Sequence, residues 1–223
     1  KDNNFTWKDY QDRNNNELLA VFGNFVNRTL VLTHKYFEGK VPALTNLNEK
    51  DNAAIEEMNQ YPDKIAHLLD TYKFREALSE LMNLARLGNR YLTENEPWKQ
   101  FKTDPERVKT VLAVSLQIVA KLAILSEPFL PFSAKKLQAM IGLEVSGWNQ
   151  AKETILLNEE TQIGEVELLF TKVEDETVAA QIKKLEDTKK QNELNAWAPN
   201  PVKPNTNIDE FGKMDIRVGT VLE

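Results

Sequence analysis

The stretch DPERVKTVLAVSLQIVAKLAIL, residues 104–125, leaves few options for the fold. Asp104 suits an N-cap, and Pro105 suits the first helical position, where its missing N–H is no loss and its fixed φ is already helical. The body that follows is apolar on most sides rather than along one stripe, so it needs cover from every direction. We read it as the central, most buried helix of an all-α bundle. A chain of 223 residues is long enough for one well-buried domain of this kind plus a smaller appendage.

The covering helices have legible ends. Asn15 or Asn16 can cap a helix whose apolar positions Leu18, Phe22, Phe25, Leu32 and Tyr36 recur at spacings of 4, 3, 7 and 4, closed by Gly39 and Pro42. A second helix begins near Asn48, with Glu49 and Asp51 in the first turn where carboxylates suit the helix dipole. It continues to about Thr71 with a bend at Pro62. A third carries Phe74, Leu78, Leu81, Ala85 and Leu92 along one side. It stops near Glu94, because Pro97 lacks a donor and clashes with a continuing helix. Pro128 and Pro131 break the central helix, and a last short helix closes at Gly142.

After residue 145 the pattern thins. VELLF, residues 166–170, reads as a short strand or an extended tether, and residues 173–194 as a helix with only Val178, Ile182 and Leu185 for an apolar seam. APNPVKPN, residues 198–205, reads as an extended linker. KMDIRVGTV alternates Met214, Ile216 and Val218 with Asp215, Arg217 and Gly219, the period of a half-buried strand. The expected organisation is a bundle over residues 1–171, a helix over 172–195, a linker over 196–206, and one β-strand over 207–223.

Several chemistries are disfavoured. Without cysteine, disulfides and thiolate metal sites are excluded, and His34 and His67 sit in no metal-binding pattern, so no metal site is expected. No apolar run reaches the roughly 18–20 residues of a membrane span. KDNNFTWKDY resembles no targeting peptide and lacks an initiator Met, which suggests a fragment. The net charge of −6 runs against non-specific nucleic-acid binding, so any RNA contact must come through a small local site.

One such site is visible. On the first helix Glu17, Asn24, Arg28 and Lys35 fall within about a 40° sector, roughly 100° from the apolar side. Asn24 and Arg28 are adjacent along that stripe. An amide with donor and acceptor, next to a guanidinium with five donors, can read an unstacked base or hold a phosphate, or can simply be solvated. Trp98 follows Pro97 at a chain corner, where its ring can stack on a base or cover Phe101 at the bundle end. Asn89 lies near the apolar side of its helix, as a buried amide bonding to backbone, and Tyr91 is ambiguous.

LLAVFGNFVNRTL, LGNRYLTENEPWK and SEPFLPFSAKKLQ occur in this order and together resemble the anticodon-binding helix bundle of class I methionyl-tRNA synthetases, over roughly residues 1–195. The resemblance implies that Asn24, Arg28 and Trp98 read the anticodon, the ring stacking on the first base, a cytosine. Pro97 fixes the ring, and Asn89, Tyr91 and Lys35 support it. It also implies that residues 172–195 fold back toward a catalytic domain, and that residues 207–223 open an OB-fold tRNA-binding module, often dimeric. The implied function is recognition of the CAU anticodon of tRNA(Met) in the cytoplasm, for an enzyme that uses ATP and Mg.

No H-x-G-H or K-M-S-K-S element occurs, so neither catalytic residues nor a cofactor are expected in this chain. The alternatives are the anticodon domain of a valine, isoleucine, leucine or cysteine enzyme, or a helical protein-interaction scaffold without an RNA role.

Overall fold

The computed structural model describes residues 5–194, 205, 207–215 and 217–219, and among these the chain is helical with no strand. The helices are α1 (Trp7–Arg13), α2 (Asn24–Phe37), α3 (Glu49–Asp70), α4 (Phe74–Asn95), α5 (Pro97–Gln100), α6 (Pro105–Leu125), α7 (Pro131–Ile141), α8 (Asp175–Leu194) and α9 (Ile208–Phe211). A π-helical stretch joins α1 to α2 over Asn14–Gly23, and a 3-10 turn spans Trp148–Lys152.

Helix α6 is the core. Asp104 caps it by accepting from the Arg107 N–H at 3.0 Å, and every residue from Thr110 to Leu125 is buried. By length and composition alone α6 could cross a bilayer, contrary to the reading of the apolar runs, but 94% of its most apolar window is covered by the rest of the bundle. Its buried polar groups tie the core to an irregular segment. Gln117 donates to the Leu157 carbonyl at 2.8 Å and accepts from the Leu156 N–H at 2.7 Å. The Lys121 ammonium donates to the carbonyls of Ala151 and Glu153 at 2.6 and 2.7 Å. Burial pulls its pKa down to about 8, with the Glu153 charge pushing back.

The first helical run starts earlier than expected. Thr6 caps α1 by accepting from the Asp9 N–H, so Asn15 and Asn16 fall inside the run rather than at its start. Asn14 and Asn15 instead use their side chains across the fold. Asn14 donates to the Thr171 carbonyl, and Asn15 donates to the Val173 carbonyl and accepts from its N–H at 2.9 Å each. Short polar side chains that bond elsewhere are poor at holding a regular helix, and the backbone here widens into the π form. At Gly23 a Cβ would stand 3.2 Å from both the Leu18 carbonyl and the Phe170 ring. At Gly88, on α4, a Cβ would stand 2.3 Å from Phe25, so this glycine lets α2 and α4 approach.

Helix α3 has the expected start, with a reciprocal capping box between Asn48 and Asp51. Pro62 lies within it, and the Trp148 indole N–H donates to the Pro62 carbonyl at 3.3 Å. Gly142, at φ 63°, ends α7 in the left-handed region. VELLF forms no strand. It is a tether, held where the Glu167 N–H donates to the Met140 sulfur and the Lys136 ammonium to the Leu168 carbonyl.

The chain divides into two compact units, residues 1–180 and 181–223. In the first, the start of α8 is attached by Gln11, which donates to the Val173 carbonyl at 3.0 Å and to the Asp175 carboxylate at 2.8 Å. The second holds the rest of α8 and α9, capped by Asn207. The strand expected within 207–223 is not formed among the described residues, where no neighbouring strand offers an edge to fill its ladder. Ile216 and residues 220–223 lie outside the description, as does most of the expected linker.

Candidate nucleic-acid interface

Trp98 owes its position to the way α4 ends. Glu96 takes a left-handed conformation at φ 37°, which costs a non-glycine residue about 1–2 kcal/mol, and Pro97 then opens the one-turn helix α5. Pro97 is buried and anchors the corner. Trp98, the next residue, remains 37% exposed. It does not cover Phe101, whose ring stacks on Tyr36 at 4.0 Å instead.

The guanidinium of Arg28 lies 4.8 Å from the centroid of the Trp98 ring. This contact brings together two residues 70 positions apart in sequence, on α2 and α5. Among the described residues Arg28 has no carboxylate partner, and the exposed Asn24 one turn earlier has no side-chain partner either. A half-exposed indole, a planar fork stacked on it and a free amide form a directional, apolar-backed donor set. A cation–π contact of this kind contributes about 0.5–1 kcal/mol when exposed.

The expected supporting residues divide. Asn89 donates to the Val21 carbonyl at 2.8 Å and to the Ala85 carbonyl, so it braces the π-helical stretch that leads into Asn24. Lys35 is exposed, its ammonium 5.3 Å above the Tyr36 ring. Tyr91 is buried and its hydroxyl donates to Asp51 at 2.5 Å. Its hydrogen-bonding group is therefore engaged inside the bundle. Glu17, on the same stripe, is paired with Arg86.

Residues 41–190 match the family described as "Anticodon binding domain of methionyl tRNA ligase". The chain belongs to that family. The match includes Trp98 and begins after the helix that bears Asn24 and Arg28. Over all 223 residues the chain is 56% identical to a methionine–tRNA ligase from Phocaeicola vulgatus and, over 222, 54% identical to one from Cytophaga hutchinsonii. It spans about a third of the length of each relative, 33% and 32%. The fold is also that of the free-state Mycobacterium tuberculosis methionyl-tRNA synthetase, with a TM-score of 0.72, 22% identity, and coverage of 76% of this chain and 35% of that one.

In this methionyl-tRNA ligase domain, sequence reasoning missed the group that holds Trp98 in place. The Asp51 carboxylate, fully buried, takes both Arg107 nitrogens at 2.5 and 2.8 Å, and Arg107 also donates to Asn95 at 2.6 Å. Asn95 donates to the Tyr91 carbonyl at 2.8 Å, so the last turn of α4, directly before Glu96, is fastened to α3 and α6. Burial works to raise the Asp51 pKa, but the Arg107 hydrogen bonds, the Asn48 N–H, the Tyr91 hydroxyl and the Arg107 charge together hold it below the ordinary value. The Asn48/Asp51 capping signal was in the sequence, but nothing in it linked Asp51 to Arg107. Among the described residues no cluster of acidic or histidine side chains could hold a metal.

Proposed function

We propose that Asn24, Arg28 and Trp98 read the CAU anticodon of tRNA(Met), with the first base stacked against Trp98 and held by the donors of α2. The observation that carries this reading is the Arg28 guanidinium, without an acidic partner among the described residues, lying over a half-exposed indole. An unstacked loop base supplies what this set lacks: a π-face for the ring and acceptors for the donors. Buried polar groups left unpaired by a wrong base would penalise it.

The remaining roles follow from the same reading. Residues 172–195 form an arm toward the catalytic part of a longer cytoplasmic ligase that uses ATP and Mg, residues 196–206 a linker, and 207–223 the start of an OB-fold through which the full enzyme dimerises. Titration of this chain with two anticodon stem-loops, CAU and one with a purine in the first position, tests the reading. Tighter binding of CAU supports it. Equal binding would favour a protein-interaction scaffold.

A further inference from the structure

Where α6 ends, a slot of about 210 Å³ is lined by Ile124, Glu127, Pro128, Val145, Gly147 and Trp148. Both of its walls are set by local chemistry. Pro128 keeps α6 from continuing, and the N–H groups of Phe129 and Leu130 close the turn on the Ser126 carbonyl at 3.0 and 2.7 Å. On the other wall Gln150 accepts from the Ser146 N–H at 2.8 Å and donates to the Glu144 carbonyl at 3.0 Å, so the loop is fastened on itself. The Trp148 indole N–H is committed to the Pro62 carbonyl, which fixes the ring and leaves its π-face to offer. Pockets that enclose a whole drug-sized ligand run to roughly 300–1,000 Å³, so this slot takes one side chain.

Three observations bear on its occupant. Glu127 is half-buried, and its carboxylate has no partner among the described residues. The other lining side chains are aliphatic or aromatic, with no lysine or arginine. Gly147 contributes no side chain, and a Cβ there would meet nothing within 4 Å, so the slot is open on that side. A carboxylate among apolar walls, beside an indole plate, is complementary to a flat cation on an apolar stem. Guanidinium suits this better than ammonium, because it is planar and weakly hydrated, donates two parallel N–H bonds to a carboxylate and stacks on an indole. A free amino acid is a poor occupant, since its own carboxylate would meet Glu127 and no cation. The chain spans about a third of the length of its relatives, so most of the surface of such a ligase lies outside it.

We infer that this slot seats an arginine side chain presented by the part of the longer ligase outside this chain. Glu127 accepts from the guanidinium, Trp148 stacks on its plane, and Ile124, Pro128 and Val145 cover the methylene stem. Because both walls are fastened within the bundle, the seat is in place before the arginine arrives. An arginine held there ties the end of the central helix to the rest of the enzyme.

This inference rests on the reading of the chain as part of a longer ligase, and not on the anticodon site. The 223-residue chain, with 15N-labelled indoles and the Trp148 resonance assigned from Trp148→Phe, is titrated with Nα-acetyl-arginine N-methylamide and with its citrulline analogue, which keeps the shape and removes the charge. The arginine derivative is expected to move the Trp148 signal to saturation and to bind about tenfold more tightly than the citrulline one. Glu127→Gln brings that ratio toward unity. The comparison of the two derivatives needs no substitution, so it decides even where Glu127→Gln fails to fold. In the full-length ligase the seat is filled, and the arginine derivative leaves the Trp148 signal in place.

Equal binding of the two derivatives overturns the inference, as does a Glu127→Gln chain that folds and keeps the tenfold ratio. A full-length ligase whose Trp148 signal still moves with the arginine derivative overturns it too. In each case a cytosine preference that depends on Trp98 leaves the anticodon reading standing.

Discussion

At the residue scale the account turns on side chains whose packing and chemistry are separable. Trp98 is held by the backbone corner at Glu96 and Pro97, with Arg28 over its ring, and it is no part of the buried core. Trp98→Ala is therefore expected to abolish the preference for first-base cytosine while changing stability by no more than about 1 kcal/mol, as for a surface position. Chemical denaturation alongside stem-loop titration checks both halves. A loss of about 3–5 kcal/mol would mark a core aromatic instead. Arg28→Lys should not rescue binding lost in Arg28→Gln, because an ammonium lacks the planar fork that stacks on the indole and donates in parallel.

At the scale of elements, the decisive contact is between helix ends. The Asp51–Arg107 pair fastens α3 to α6, and through Tyr91 and Asn95 it fixes the turn that delivers Trp98. Asp51→Asn leaves Arg107 without its countercharge and is expected to cost about 3–5 kcal/mol near neutral pH. The folded-state pKa of Asp51 lies below its unfolded value, so its contribution is complete above the ordinary carboxylate range. It is lost as pH falls through the lowered value. Urea melts of both chains should then converge as the solution is acidified below about pH 4. A gap that persists unchanged in acid would mean that the ionised carboxylate is not what holds the turn.

Much of this architecture was legible locally. Asp104 with Pro105, Asn48 with Asp51, and Gly142 each mark a terminus through their own backbone chemistry, and all three fall where the helices end. The polar stripe was legible as geometry, and Trp98 by its proline corner. Other features depend on residues far apart in sequence. Asn14 and Asn15 suit a cap by type, yet they bond to residues 171–173 and the helix runs through them. Lys121 and Gln117 face carbonyls of a segment about 30–40 residues on, which no periodicity reveals. The Arg28–Trp98 stack was legible only as two separate oddities until α2 and α5 were brought together.

For the molecule as a whole, a net charge of −6 means that its surface offers RNA little general attraction. On the proposed reading recognition comes from the local site, with phosphate contacts left to other parts of a longer ligase, so binding by this chain is expected to be weak but selective. The most direct measurement uses the indole N–H resonances of the four tryptophans, labelled with 15N, with the Trp98 signal assigned from Trp98→Phe and the CAU stem-loop as titrant. The account predicts that the Trp98 resonance shifts progressively to saturation while that of Trp148, tied to the Pro62 carbonyl, stays in place. A loop that binds while the Trp98 signal does not move would contradict it.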